Sequence, residues 1–266
     1  MIRFFRNIRQ KLAAENKVAS YLRYAIGEII LVMVGILLAL QVNNWNEARK
    51  ERNNEIKYLK NLKLDLKTDL VNLDSMIVDR RNKMFSANTL LTLQPPKTID
   101  QLKSFDRLLW KVYGWTSFTP RTNTLDELIS SGSLNIIKND SIKFYLLSIK
   151  EKNETIVIYR EHMRHEYDNY LYDRTWPILE ISPFLDFERT IKQKTRINIE
   201  ISEDKRKQLA SQVAIFLKDM TIRNGLRLAA MNNFGILNLY ESLYAEIQKL
   251  IKFIDEDIDE EPLKNS

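Results

Sequence analysis

The chain has 266 residues, with six glycines, six prolines and no cysteine. Average usage would supply roughly 18 glycines and 13 prolines, so the frequent turns of an all-β fold are excluded. The lack of cysteine removes disulfides, thiolate nucleophiles and cysteine-ligated metals. The formal net charge of +6 is uneven: residues 1–23 hold six Lys/Arg against one Glu, whereas residues 43–266 hold 35 basic against 33 acidic side chains. Interleaved charge of that kind forms no basic patch, which argues against a nucleic-acid partner.

Within residues 2–12 (IRFFRNIRQKL), Ile2, Phe5, Ile8 and Leu12 recur at spacings of three and four, while Arg3, Arg6, Arg9 and Lys11 lie largely elsewhere. That pattern fits a short amphipathic helix on an anionic inner leaflet, and equally a basic lead that only sets orientation. Residues 25–42, AIGEIILVMVGILLALQV, have only Glu28 and Gln41 as strongly polar members. As a helix they reach roughly 27 Å, close to the hydrocarbon thickness of a bilayer. The uninterrupted apolar run, residues 29–40, is also a length used by buried core helices. The flanks favour a span: Tyr21 and Tyr24 on one side and Asn43, Asn44 and Trp45 on the other suit the headgroup layer. No small-residue cleavage pattern follows, as a signal peptide would require. Arg3, Arg6, Arg9, Lys11, Lys17 and Arg23 precede the span, against Arg49, Lys50, Arg52 and Lys57 after it, so the N-terminus is expected to be cytoplasmic. Glu28, in the first turn of the span, reaches interfacial water and the positive end of the helix dipole, although intramembrane carboxylates are also often functional. Gly27, Gly35 and Ala39 share a small-residue face on which a second helix could pack.

After Trp45 the periodicity turns amphipathic, with Ile56, Leu59, Leu62, Leu66, Leu70, Leu73 and Ile77 at spacings of three or four. A heptad slip near Asp69 predicts a bundle helix rather than a sustained coiled coil, ended by Pro95 and Pro96. Thr98 and Gln101 form a capping box opening a helix closed by Gly114. Trp115, Phe118 and Pro120 mark an aromatic loop. Thr124 and Glu127 predict a second capping box, with Gly132 left-handed at the stop and Leu134, Ile136 and Ile137 docking the return. Asn139 and Asp140 cap a long helix bearing Ile142, Leu146, Ile149, Ile156, Tyr159, Met163, Tyr167 and Leu171, ending at Trp176 and Pro177. Residues 196–201 alternate with period two, an extended segment for Leu185, Asp186 and Phe187 to pair with. Ser202 caps a final helical region through Leu209, Val213, Phe216, Met220, Leu237, Tyr244, Ile247 and Ile251, with a break expected near Asn224 and Gly225. Residues 255–261 hold six acids in seven positions, unfavourable at a helix C-terminus, so the end is expected to fray. The fold class is mainly α: an N-terminal transmembrane helix, then an antiparallel helical bundle with a short extended or β segment near 184–201. The domains are a basic lead (1–23), the span (24–45), an extracytoplasmic helical domain (46–258) and an acidic tail (259–266).

The membrane-edge segment YAIGEIILVMVGILLALQVNNWNE (24–47) and the later TLDELISSGSLNIIKN (124–139) resemble a family of single-pass membrane proteins of unknown function common in Bacteroidota. The resemblance runs over most of the chain and supports the topology. It implies no reaction and no binding residues.

His162 and His165 are the only histidines. Their i, i+3 spacing with Glu161, Glu166 and Asp168 nearby invites a metal, but neither HExxH nor a second ExxH helix completes a site, and a solvated face is expected. No phosphate-cradling loop or nucleophile elbow is present. Trp110, Tyr113, Trp115 and Phe118 fit core closure better than a pocket. The sequence therefore predicts no catalytic, cofactor or metal residues and no enzyme. It points to an envelope interaction or scaffold protein of the inner membrane, with the bilayer, a second copy or other envelope proteins as partners and the helical domain in the periplasm. The alternative is a ligand-sensing bundle that signals through a partner protein.

Overall fold

The computed structural model describes residues 18–195 and 197–259, with nothing stated of the side chains of 18–21, 24 and 187. The expected amphipathic lead at 2–12, the side chains of Tyr21 and Tyr24, and residues 260–266 of the acidic tail lie outside the described residues. With no glycine or proline between Gly35 and Pro95, nothing interrupts the first helix, α1, which is Val18–Thr92. The chain divides into two units, residues 1–57 and 58–266.

Within the second unit, α1 is followed by α2 (Ile99–Tyr113), α3 (Asn123–Ser130), a 3-10 turn (Ser133–Ile136) and α4 (Asp140–Tyr167). α4 runs on through π-helical Asp168–Tyr172 and a last turn, Asp173–Thr175. Then come α5 (Phe187–Gln193), α6 (Glu203–Lys218) and α7 (Met220–Asp259). The Thr98 capping box forms as expected, and Gly132 has φ of 68° at the stop after α3. The only β pairing among the described residues is an antiparallel bridge between Leu185 and Asn198. Asp186 N donates to Ile197 O and Ile199 N to Phe184 O, both at 2.7 Å. The pairing stops there because Asp186 accepts from Arg189 N at 2.9 Å and starts α5, a helix the alternating pattern did not announce.

Two apolar clusters stack along the bundle. The first joins Leu59, Leu66 and Leu73 of α1 to Ile142 and Ile149 of α4 and to Tyr240, Ile247 and Ile254 of α7. The second joins Leu90 of α1, Leu102 and Leu109 of α2, Met163 of α4, Phe216 of α6 and Leu226 of α7. α1 and α4 both pass from the first cluster to the second and α7 returns, so α7 runs antiparallel to the other two long helices. Side-chain pairs fix the register: Ser148 with Glu246, Lys152 with Ser242, and Glu166 with Asn232 on α4 and α7, and Lys63 with Asp255 and Arg81 with Glu241 on α1 and α7. This is the mainly α, antiparallel bundle expected from periodicity, with its extended segment in the expected place.

Four local expectations are corrected. Thr124 does not cap: α3 begins at Asn123, and the Thr124 hydroxyl donates to Asp65 on α1 at 2.6 Å, a tertiary bond that overrides the local motif. The final helical region breaks at Asp219 rather than Gly225, with Asp219 Oδ1 accepting from Thr221 N at 2.8 Å and Ile222 N at 3.1 Å. Met220, expected on the core face, falls at this junction and is exposed. Residues 255–259 stay helical, because Ile254 is fully buried, Asp255 pairs with Lys63, and Asp257 accepts from Asn139 at 3.2 Å.

Candidate functional site

Residues 25–42 fall in the N-terminal part of α1, the one helix among the described residues long and apolar enough to cross a membrane. Its mean hydropathy reaches 2.4 and its apolar window is unburied. A core helix of a soluble protein hides such residues; here Leu31 and Val42 are 68% and 65% exposed, a contiguous apolar surface that calls for a non-aqueous neighbour. Glu28 is half-buried, and Trp45 is exposed. At Gly27 and Gly35 no atom lies within 4 Å of where a Cβ would sit, and Ala39 is exposed, so the small-residue face is open to a second helix.

A polar layer that sequence reasoning did not single out lies where the two apolar clusters meet. Arg80, 1% exposed, donates to Asn233 Oδ1 at 3.1 Å and to the Thr116 carbonyl, with its guanidinium 5.9 Å from the Tyr240 ring centre. Asn233 is held in turn by donating to Tyr167 Oη at 3.1 Å and Ala229 O at 2.7 Å. Lys83 donates to the carbonyls of Lys111 and Gly114 and lies 3.8 Å from Asp79. Burial pushes its ammonium down to about 8, against the opposing pull of Asp79. Asp69, also buried, accepts from Arg121 N through both oxygens at 3.1 Å, yet burial raises its carboxyl to about 6. Beside them Tyr172 donates to Tyr113 O at 2.8 Å, and Tyr113 shares a 2.6 Å hydrogen bond with Thr175. Burial raises the Tyr113 and Tyr167 phenols and brings Tyr172 to about 12.

These contacts join α1, α2, the aromatic loop, α4 and α7 and fix their relative register, with Lys83 and the two terminal nitrogens of Arg80 bonded to carbonyl or amide oxygens, while the buried Arg80 Nε has no hydrogen-bond partner among the described residues. The signal for the layer was present in the sequence: Arg80 and Lys83 fall on the apolar period that runs from Leu73 and Ile77 to Ala87 and Leu90. Of the aromatics weighed for a pocket, Tyr113 and Phe118 close the core, Trp115 is half-buried, and Trp110 is exposed.

His162 Nε2 lies 3.2 Å from Glu166, and His165 bonds Asn169. Among the described residues no three His, Cys, Asp or Glu side chains gather to hold a metal. The geometry defines a class: a helical bundle of two stacked cores whose first helix carries an exposed, membrane-length apolar segment. The chain belongs to DUF6090, a family of unknown function, whose model matches residues 28–218. That match takes in most of the apolar segment and every element through α6. No curated protein and no solved structure matches the chain.

Proposed function

We propose that this protein is a membrane-anchored helical interaction module of the cell envelope, with residues 24–45 crossing the inner membrane once. The observation that carries the reading is the wholly unburied apolar window at the start of α1, for which a bilayer is the fitting solvent. The excess of Lys/Arg before the span supports a cytoplasmic N-terminus and a periplasmic bundle, with Glu28 at the inner edge and Trp45 at the outer. Tyr21 and Tyr24 join Glu28 at the inner edge in this reading. In this reading the bundle acts by binding, with the bilayer and other envelope proteins or a second copy as partners. Phosphatase reporters fused after Trp45 and after Ser266 test it. Both are expected to be active in the periplasm, and a cytoplasmic readout from the Ser266 fusion overturns the orientation.

One observation favours the alternative of a ligand-sensing bundle. A groove of about 450 Å³ lies beside the loop between α1 and α2, lined by Leu93, Pro96, Lys97, Gln101, Phe105 and Val213, a size and mix of surface that suits a small ligand. A melting-temperature shift of the full chain across a metabolite panel, lost in Gln101→Ala, is the expected sign. A panel without any shift rejects it.

A further inference from the structure

The groove beside the loop between α1 and α2 separates an apolar floor from a charged rim. On the floor, Phe105 of α2 and Val213 of α6 are buried, and Leu93, just past the end of α1, is half-buried. On the rim, Lys97 and Asp100 both line the groove and both are exposed. Among the described residues neither the Lys97 ammonium nor the Asp100 carboxylate has an ion-pair or hydrogen-bond partner. The rim backbone is nevertheless pinned. Lys97 N donates to Gln101 Oε1 at 2.7 Å, and the Lys97 carbonyl accepts at 2.8 Å from Arg206 of α6, an arginine itself donating to Glu203 at 2.8 Å. Gln101 Oε1 accepts from Thr98 N as well, at 3.3 Å. With that oxygen committed to the capping box, the groove-lining Gln101 amide keeps its two N–H groups, which only donate. One side of the rim, Lys97 with Gln101, is therefore built to take a carboxylate, and the other, Asp100, to take an ammonium.

We propose that this groove binds a short apolar peptide with free ends, a zwitterionic dipeptide, with its carboxylate on Lys97 and Gln101, its ammonium on Asp100 and its side chains against Phe105, Val213 and Leu93. The inference rests on the ligand-sensing reading above and names the class of its ligand. Charge selects the class. An anion alone is repelled by Asp100 and a cation alone by Lys97, whereas a molecule carrying both charges meets each with its opposite. Size selects within it. A space of about 450 Å³ is more than one amino acid fills, and a dipeptide both separates its charges by a peptide unit and offers two side chains to the floor. The apolar floor supplies most of the affinity. The exposed rim charges supply discrimination between ligands, and the pinned backbone of Lys97 lowers the cost of ordering that side of the rim.

The probe is leucyl-leucine, titrated calorimetrically into the full chain in detergent at about pH 7, where both of its ends are charged. Leucyl-leucinamide lacks the carboxylate, N-acetyl-leucyl-leucine lacks the ammonium, and N-acetyl-leucyl-leucinamide lacks both while keeping the apolar body. Leucyl-leucine should bind saturably at one site, and masking either end should weaken it by about tenfold. Lys97→Met should bind leucyl-leucine and its amide alike, and Asp100→Asn should bind leucyl-leucine and its N-acetyl form alike, because each variant removes the side chain that reads that end. Both positions are exposed, so the helical signal and the ligand-free melting temperature should persist. Equal binding of leucyl-leucine and the doubly masked peptide, or discrimination between ends that survives in both variants, overturns the assignment. If none of the four peptides binds while a compound of the metabolite panel raises the melting temperature of the wild type but not of Gln101→Ala, the peptide class is refuted and the ligand-sensing reading stands. If neither the peptides nor the panel have any effect, both are refuted.

Discussion

Gly225 and Gly235 lie on the same helix, α7, but differ in what surrounds them. Around Gly225 a Cβ would lie 2.7 Å from Leu171 Cδ2 and 2.9 Å from the Cβ and carbonyl oxygen of Tyr170, all held in the π-helical stretch that swells α4 toward α7. Around Gly235 the close neighbour is the phenol end of Tyr159, which is half-buried and can swing away. Alanine favours a helix over glycine by about 1 kcal/mol, whereas a forced core contact costs about 1–3 kcal/mol. Gly225→Ala should therefore lower the melting temperature and Gly235→Ala leave it level or raise it, by circular dichroism of the full chain in detergent. At Lys83 the effect is one of protons. Its folded value of about 8 lies below the ordinary 10.5, so between those values the unfolded chain binds more protons and stability rises with pH. The shift corresponds to on the order of 3 kcal/mol. Above about 10 the raised tyrosines Tyr113, Tyr167 and Tyr172 act in the opposite sense, since the unfolded phenols ionise first. Urea midpoints of the wild type should rise from pH 7.5 to 9.5, and those of Lys83→Met should stay flat across the same interval. A parallel rise in the variant would show that the gain comes from elsewhere.

At the scale of elements, what was legible in the sequence was whatever a short stretch decides by itself. The Thr98 box, the Asn139 and Ser202 caps and the left-handed Gly132 depend on backbone groups within a few residues. The features that were not legible depend on what packs against them. Thr124 has the spacing of a cap, but Asp65 on another helix takes its hydroxyl. Gly225 looks like a breaker, but it is the residue that lets α7 pass close to Tyr170 and Leu171. The C-terminal acids look unable to end a helix, but Ile254 is buried beneath them. The polar layer was hidden for the same reason, since a charge on an apolar period reads as an irregularity until its carbonyl partners are placed. The last of these helices gives a direct comparison of burial against charge. Ile254→Ala deletes fully buried methyl groups and should cost about 2–5 kcal/mol. Asp255→Ala removes one side of an ion pair with Lys63 at a half-exposed position and should cost no more than about 1 kcal/mol. Denaturant midpoints of the two variants in detergent decide between them; equal losses would mean that the acid, not the isoleucine, holds the end of α7.

For the molecule as a whole, the membrane-anchored reading proposed above makes the polarity of insertion depend on a small number of charges. The small-residue face, Gly27, Gly35 and Ala39, is symmetric with respect to direction, and the apolar window has no preferred end. What distinguishes the two sides is six Lys/Arg in the 23 residues before the span against Arg49, Lys50, Arg52 and Lys57 after it. Acidic residues contribute little to this choice, so Glu28 and the acids of the bundle do not alter the count. Replacing Arg3, Arg6 and Arg9 by alanine leaves Lys11, Lys17 and Arg23, three against four, and reverses the bias without touching the apolar segment or the bundle. The variant should still resist carbonate extraction, because the hydrophobic length is unchanged, but a phosphatase fused after Ser266 should lose activity as part of the population inserts the other way. Adding two lysines before the span of that variant should restore it. A reporter that stays fully active in the triple variant would mean that folding of the bundle, and not the flanking charge, decides which side of the membrane it occupies.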